Sequence, residues 1–378
     1  MHPIRILHVY RTYYPDPPGG LQEAIRQIAL ATALFNTESR IFTLSNDPTP
    51  AEIKQPEAWV IRCKSWAAPA SCDLGGFSAF RKFSESANWA DVIHYHFPWP
   101  FADLLHLIVH PRTPAIMTYH SDIVRQRWLG LAYAPLMRRM LRSVSAVVAT
   151  SPAYARTSPV LADAYLRDRV QVIPLGIEDS TRHQDGDNEV LHRLHLDDGE
   201  PFFLFIGVLR YYKGLHTLVE ASGAVRARVV IAGSGPEDNN LRMQVRQLGL
   251  SNVVFAGQVS ESEKTVLLKH CRALVLPSHL RSEAYGMVLV EAAMFGKPMI
   301  TCEIGTGTTF VNAAEQTGLV IPPDSPVDLA SAMNRLSTDK NLAMEYGNAA
   351  RLRYEELFSG RAQGQAYSDL YREVAKSQ

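Results

Sequence analysis

Cysteine is scarce in this chain. Its 378 residues hold four, Cys63, Cys72, Cys271 and Cys302, with no CxxC spacing among them. That excludes a recognisable zinc frame or disulfide scaffold. All four lie in or beside apolar runs and read as reduced core thiols of a cytoplasmic protein. Long apolar runs are missing too: none approaches the roughly 18 residues of a membrane span. The opening MHPIRILHVY reads as a strand and lacks the apolar core of a signal peptide. Net charge is absent, with 38 basic residues against 38 acidic ones. No nucleic-acid motif accompanies that balance, so no nucleic-acid partner is expected. The one Asp-X-Asp triplet of interest, Asp185-Gly186-Asp187, falls in a polar linker away from any strand end. It reads as solvated chain, and no metal or other cofactor is expected.

The balanced total hides an asymmetry. Residues 1–175 carry 18 Lys and Arg against 13 Asp and Glu, which leaves the remainder 20 against 25. A basic first half suits an anionic membrane surface or a phosphorylated acceptor.

Apolar strand-like runs alternate with amphipathic, helix-length stretches in both halves, the pattern of doubly wound α/β domains. In the first half the strands are expected at Ile4–Val9, Arg40–Leu44, Trp59–Cys63, Val92–Tyr95, Ala115–Tyr119, Ala146–Thr150 and Val170–Ile173. In the second they are expected at Phe202–Ile206, Arg228–Ala232, Val253–Phe255, Ala273–Leu276, Met299–Thr301 and Leu319–Ile321. The division is then a first Rossmann-like domain over 1–177, a linker over 178–200 and a second such domain over 201–360. The ligand would lie at the carboxyl ends of the strands.

The stretch Arg281–Gly305 organises the chemistry. A buried strand ends at Pro277, and a loop carries Glu283. A helix then starts near Gly286, runs through Val288, Leu289 and Val290, and stops at Gly296 before Pro298. Glu291 lies on its second turn, eight residues after Glu283. The amides of Gly286, Met287 and Val288 are open donors at the positive end of a helix dipole, a seat for a diphosphate. A carboxylate on each side suits hydroxyl-rich groups at its two ends, a ribose and a transferable sugar.

Other stretches fall at strand ends. Gly19 and Gly20 precede a helix, where bare backbone can approach a phosphate, although a plain turn would also explain them. His94 and His96 alternate on one strand and share a face. They fit an acceptor pocket or internal packing; a metal lacks a third ligand at recognisable spacing. His120 ends the next strand. Arginines 125, 127, 138, 139 and 142 are interleaved with Trp128, Met137 and Met140, as in an interfacial helix or a packed helix with a basic face. In the second half Gly207 ends a strand and is followed by Arg210 and Lys213, fixed cations able to stabilise a departing diphosphate without a metal. The turns at Gly233-Ser234-Gly235 and Gly257-Gln258, and the glycines at 305 and 307, also follow strands. No GxGxxG follows the first strand of this half, which disfavours a dinucleotide-binding reading.

Together, Gly19-Gly20, His120, Arg210 with Lys213, and Glu283 with Glu291 resemble the retaining GT-B glycosyltransferases of family 4. The resemblance spans nearly the whole chain and is clearest from Gly207 to Gly318. Over Gly207–Leu215 and Ser282–Thr308 it is closest to bacterial mannosyl- and D-rhamnosyltransferases of O-polysaccharide assembly. It implies two Rossmann-like domains facing a cleft, with a final helix over 361–378 crossing back to the first. It implies a GDP-sugar donor, a polyprenyl-diphosphate-linked saccharide acceptor, retention of configuration, and peripheral attachment to the inner face of the plasma membrane. His120, Glu283, Arg210 and Lys213 would then be catalytic. Gly19, Gly20, Ser234, Gln258, Tyr285, Gly286, Met287, Val288 and Glu291 would join the last three around the donor, with His94 and His96 on the acceptor side. Three rivals stand beside this reading: a family member using a UDP-sugar, a nucleotide-sugar epimerase of the same fold, and a non-catalytic nucleotide-binding partner. A hydrolase using the two glutamates is disfavoured, because one lies on a helix whose start seats phosphate.

Overall fold

The computed structural model describes residues 2–16, 19–69, 72–122, 127–163, 166, 168–181, 188–196 and 199–376. The chain divides into two compact units, Met1–Glu178 with Ser359–Gln378, and Asp179–Phe358.

The strands of the first unit are β1 (Ile4–Val9), β2 (Thr37–Ser45), β3 (Glu52–Lys54), β4 (Trp59–Ala67), β5 (Leu74–Gly75), β6 (Val92–Phe97), β7 (Ala115–Tyr119), β8 (Ala146–Ala149) and β9 (Val170–Val172). They lie in the order β3-β4-β2-β1-β6-β7-β8-β9, with β5 against β4. Only β3 and β5 run antiparallel to their neighbour. The central strands are covered on both faces, and this is why β8 reads as an unbroken apolar run and β1 and β6 are interrupted only by Arg5 and by histidines. The two edge strands were not expected. At three and two residues, EIK and LG, neither is long enough to show a period.

The helix Gly360–Lys376 completes this unit. Its Tyr367, Leu370, Tyr371 and Val374 join Ile6, Ile28, Val92 and Ile116 in one core. Gly364 lets it approach the helix Gly20–Ala33 closely, since a Cβ there would stand 2.3 Å from the Ala31 carbonyl oxygen.

The second unit holds β10 (Phe202–Ile206), β11 (Arg228–Ala232), β12 (Val253–Gly257), β13 (Ala273–Leu276), β14 (Met299–Cys302) and β15 (Gly318–Ile321). All are parallel, in the order β12-β11-β10-β13-β14-β15. In both sheets the order reverses beside the first strand, between β1 and β6 and between β10 and β13. Loops leaving two such strands diverge and open a crevice at their carboxyl ends, where open α/β sheets bind ligands.

The expected linker is partly folded. A short helix, Glu189–Arg193, buries Val190 and Leu191, and Arg193 bonds to the Ala256 carbonyl and pairs with Glu263. Residues 188–196 therefore belong to the second unit's packing.

Candidate active site

The second unit's crevice is built by glycines that no other residue could replace without displacing backbone. The Gly233 Cβ position lies 2.0 Å from the Gly207 carbonyl oxygen, and that of Gly214 lies 2.0 Å from the Pro277 carbonyl oxygen. Both glycines have positive φ, 131° and 68°. The loops after β10, β11 and β12 are stitched together by Gly207 N–H to Ala232 O, Leu209 N–H to Ser234 O and Gly233 N–H to Gly257 O. Ser234 and Gln258 stand exposed on these loops. After β10 the chain passes Arg210 and makes a 3-10 turn, Tyr211–Lys213, pressed onto the loop after β13 through Gly214.

That contact sets the central pair. Lys213 Nζ donates to Glu283 Oε2 at 2.7 Å, with the two side chains only 12% and 11% exposed. Ser278 Oγ lies 3.4 Å from the same carboxylate oxygen. A pair this well shielded resists screening, and losing one partner strands the other's charge. Arg210 is exposed and has no ion pair among the described residues. Its charge is open to a ligand.

Glu283 leads into the helix Met287–Met294, whose N-cap Gly286 has φ 83° and no side-chain cap. The amides at its start are the open donors of an uncapped helix, and Glu283 lies three residues before Gly286 in the chain. Tyr285 is buried beside Gly307, whose N–H donates to the Ala284 carbonyl, and Arg281 Nη1 donates to the Gly305 carbonyl at 2.7 Å. These bonds hold the 303–307 turn against the Glu283 loop.

Glu291 is half-buried and accepts from Lys264 Nζ at 2.9 Å. Burial opposes the charge on Lys264, but the carboxylates of Glu291 and Glu261 outweigh it and raise its pKa. Lys264 was not anticipated. It sits on the helix Glu261–His270 behind a capping box of Ser260 and Glu263, and nothing local distinguishes it from a solvated helix lysine.

The first unit's reversal point has a different chemistry. Gly19 is the N-cap of the helix Gly20–Ala33, just beyond β1. His8, on β1, His94 and His96 on β6, and His120 one residue past β7 gather into a cluster of rings. His94 is held between the Tyr371 hydroxyl at 2.8 Å and the Thr118 hydroxyl at 2.7 Å, and Thr118 in turn meets Tyr367 at 3.0 Å. Burial drives the pKa of His8 and of His120 down to about 3, and those of His94 and His96 well below the ordinary value. All four rings are neutral near pH 7.

His94 and His96 are 0% and 1% exposed. They present no face to an acceptor, so the internal-packing reading is the one this burial supports. Nitrogens of His8, His94 and His96 lie within 4.8 Å of one another, as do donor atoms of His216, His279 and Asp324. In the second group His279 Nδ1 already bonds Asp324 Oδ1 at 2.6 Å. Asp185 and Asp187 lie outside the described residues.

The four thiols are unpaired, with Cys72 less buried than expected for a core residue. On the helix Arg127–Ser143, Met137, Met140 and Leu141 are buried while Arg138, Arg139 and Arg142 are exposed. The apolar face of residues 133–143 is thus occupied by the protein itself, which leaves charge alone for any membrane contact from that half. No helix among the described residues is long and apolar enough to cross a membrane.

Two Rossmann-like units, each with its distinctive polar groups where the strand order reverses, define the GT-B class of glycosyltransferases. Residues 19–176 match the family described as glycosyl transferase 4-like domain, and residues 188–353 match glycosyl transferases group 1. The chain is 41% identical over 374 residues to the O-antigen chain mannosyltransferase C of Escherichia coli, spanning 99% of this chain and 100% of that one. It is 43% identical over 357 residues to the D-rhamnosyltransferase WbpZ of Pseudomonas aeruginosa, spanning 94% and 92%. The sucrose-phosphate synthase of Thermosynechococcus elongatus shares the fold, with a TM-score of 0.79 over 99% of this chain and 100% of that one, at 23% identity. The chain belongs to the group 1 glycosyltransferases.

Proposed function

We propose that this glycosyltransferase moves D-mannose or D-rhamnose from a GDP-sugar to a polyprenyl-diphosphate-linked saccharide, with retention of configuration and without a metal, in O-polysaccharide assembly. The observation that carries the proposal is the shielded Lys213–Glu283 pair at the reversal of the second sheet, beside an uncapped helix start and the unpaired Arg210. The mannosyl- and D-rhamnosyltransferase names of the two relatives support the choice of sugar.

In this reading Arg210, Lys213 and the amides of Gly286, Met287 and Val288 draw off the diphosphate as its negative charge grows. One paired cation, one free cation and a helix dipole are available for that charge, so the reading invokes no metal. Glu283 orients hydroxyls of the sugar, and Lys213 holds its carboxylate in place. Glu291, steadied by Lys264, receives the ribose hydroxyls. Ser234, Gln258 and Tyr285 complete the donor site, Gly19 and Gly20 contribute backbone to the phosphates, and His120 meets the sugar. The sugar passes through a short-lived oxocarbenium-like state, and the departing phosphate takes the acceptor's proton on the same face. The enzyme works at the inner face of the plasma membrane.

The test is a donor-by-acceptor assay with GDP-mannose, GDP-D-rhamnose and UDP-glucose against polyprenyl-diphosphate-linked saccharides, with products read by NMR. An α-linked product from a GDP-sugar is expected. A β-linked product would reject retention, and turnover of UDP-glucose alone would reject the guanine nucleotide. Release of altered sugar nucleotide without acceptor would instead indicate an epimerase.

A further inference from the structure

His8 and His96 stand on the neighbouring parallel strands β1 and β6, and His120 directly follows β7, the next strand. His8 Nδ1 is 3.1 Å from His96 Nε2, and His96 Nδ1 is 3.1 Å from His120 Nε2. Successive rings are tilted by only 23° and 27°. Each neutral ring has one N–H and one lone pair. A hydrogen bond at each contact needs one of each, so all the protons must point the same way along the file.

The two ends decide which way. His120 is the outer ring, 8% exposed against 0% for His8 and 1% for His96. Its free Nδ1 can be served by solvent or ligand whether or not it carries the proton. The inner end has no such freedom, because His8 Nε2 is buried with no partner among the described residues. Protons pointing inward would seal an N–H there away from every acceptor. Protons pointing outward leave a bare lone pair instead. Orphaned buried N–H groups are the rarer of the two in folded proteins.

We propose that His8 and His96 are positioning residues that lock His120 as its Nδ1–H tautomer, so that His120 meets a substrate oxygen as a hydrogen-bond donor. The lock stands on the first unit's geometry alone. Only the identity of the oxygen, one belonging to the donor sugar, rests on the function proposed above. A His120 with its outer nitrogen protonated cannot accept the acceptor's proton, which leaves that step to the departing phosphate.

The experiment is a two-bond proton–nitrogen correlation spectrum of the full chain with ring-labelled histidine, at neutral pH and without nucleotide. His8→Gln, His96→Gln and His120→Gln assign the signals; sequential assignment through the histidine Cβ replaces any variant that does not fold. All three rings should show the Nδ1–H pattern, the reverse of what free neutral histidine side chains favour. An Nε2–H pattern at His96 or His120 would overturn the lock, as would a metal-bound pattern on adding one equivalent of Zn²⁺.

The donor role is read separately. His120→Asn keeps an N–H near the Nδ1 position, whereas His120→Asp offers only acceptors. KM for the GDP-sugar should rise by no more than about tenfold in the first and by clearly more in the second. Equal values would remove the donor role. A chain showing the Nδ1–H pattern yet refusing every GDP-sugar would keep the lock and reject the function.

Discussion

The two reversal points of this molecule share a topology and differ in electrostatics. At β10 and β13 the crevice is lined by charge: an exposed Arg210 and a Lys213–Glu283 pair about a tenth exposed. At β1 and β6 the same position is filled by rings that burial keeps neutral. One site is equipped to hold a leaving anion. The other has no net charge, and three of its four rings are sealed, so that His120 alone presents a fixed dipole outward. The comparison teaches that the strand order places a site, and that the residues leaving the strands decide its chemistry.

Acid should break the comparison most strongly. The folded pKa of His8 and of His120 is near 3, below the ordinary value of 6.5. The unfolded chain therefore binds protons more readily. The stability these neutral rings confer is complete above pH 6.5 and falls away as pH drops toward 3, by up to about 1.4 kcal/mol per pH unit for each ring. Urea unfolding followed by near-ultraviolet signals between pH 7 and 4.5 checks this. A flat profile would mean that the rings are not sealed.

Within the charged site, Lys213→Ala should be the most damaging substitution. It leaves Glu283 with only the Ser278 hydroxyl, and single-turnover transfer should fall by about 10²–10³-fold or more. Arg210→Ala should slow the same step by roughly 10²-fold, while stability stays within about 0.5 kcal/mol because the side chain is exposed and unpaired. The contrast between the two in thermal unfolding separates a structural charge from a free one. Glu291→Gln should weaken GDP binding by about tenfold, or 1.4 kcal/mol, and leave the rate at saturating donor unchanged. Calorimetry beside single-turnover kinetics reads both. Of least consequence for transfer itself is the triple change Arg138→Ala, Arg139→Ala and Arg142→Ala, expected to lower binding to anionic vesicles by about 1 kcal/mol per arginine lying near the surface. Unchanged vesicle binding would remove the basic helix from the membrane proposal.

Much of the fold was legible because parallel strands buried on both faces leave an unmistakable run of apolar residues. β10 and β13, Phe202–Ile206 and Ala273–Leu276, match their expected bounds for that reason. The helix start at Gly286 was readable from the loop glycine, although the helix itself begins at Met287. What stayed hidden depends on residues brought together from afar. Lys264 meets Glu291 across 27 residues, and His8 meets His96 across 88. A histidine in an apolar strand looks the same whether it binds a ligand or another ring. Residues 189–196 read as linker in the sequence because the polar run before them masks Val190, Leu191, Leu194 and Leu196, all of which are buried.

The most direct measurement is a calorimetric titration of GDP into the full chain and into the double variant Arg210→Ala, Lys213→Ala. The account predicts one site per chain in the first and at least a tenfold loss of affinity in the second, with the first unit's near-ultraviolet signal unaltered. Equal affinity in both proteins would place the nucleotide away from the β10–β13 crevice and contradict the account at its centre.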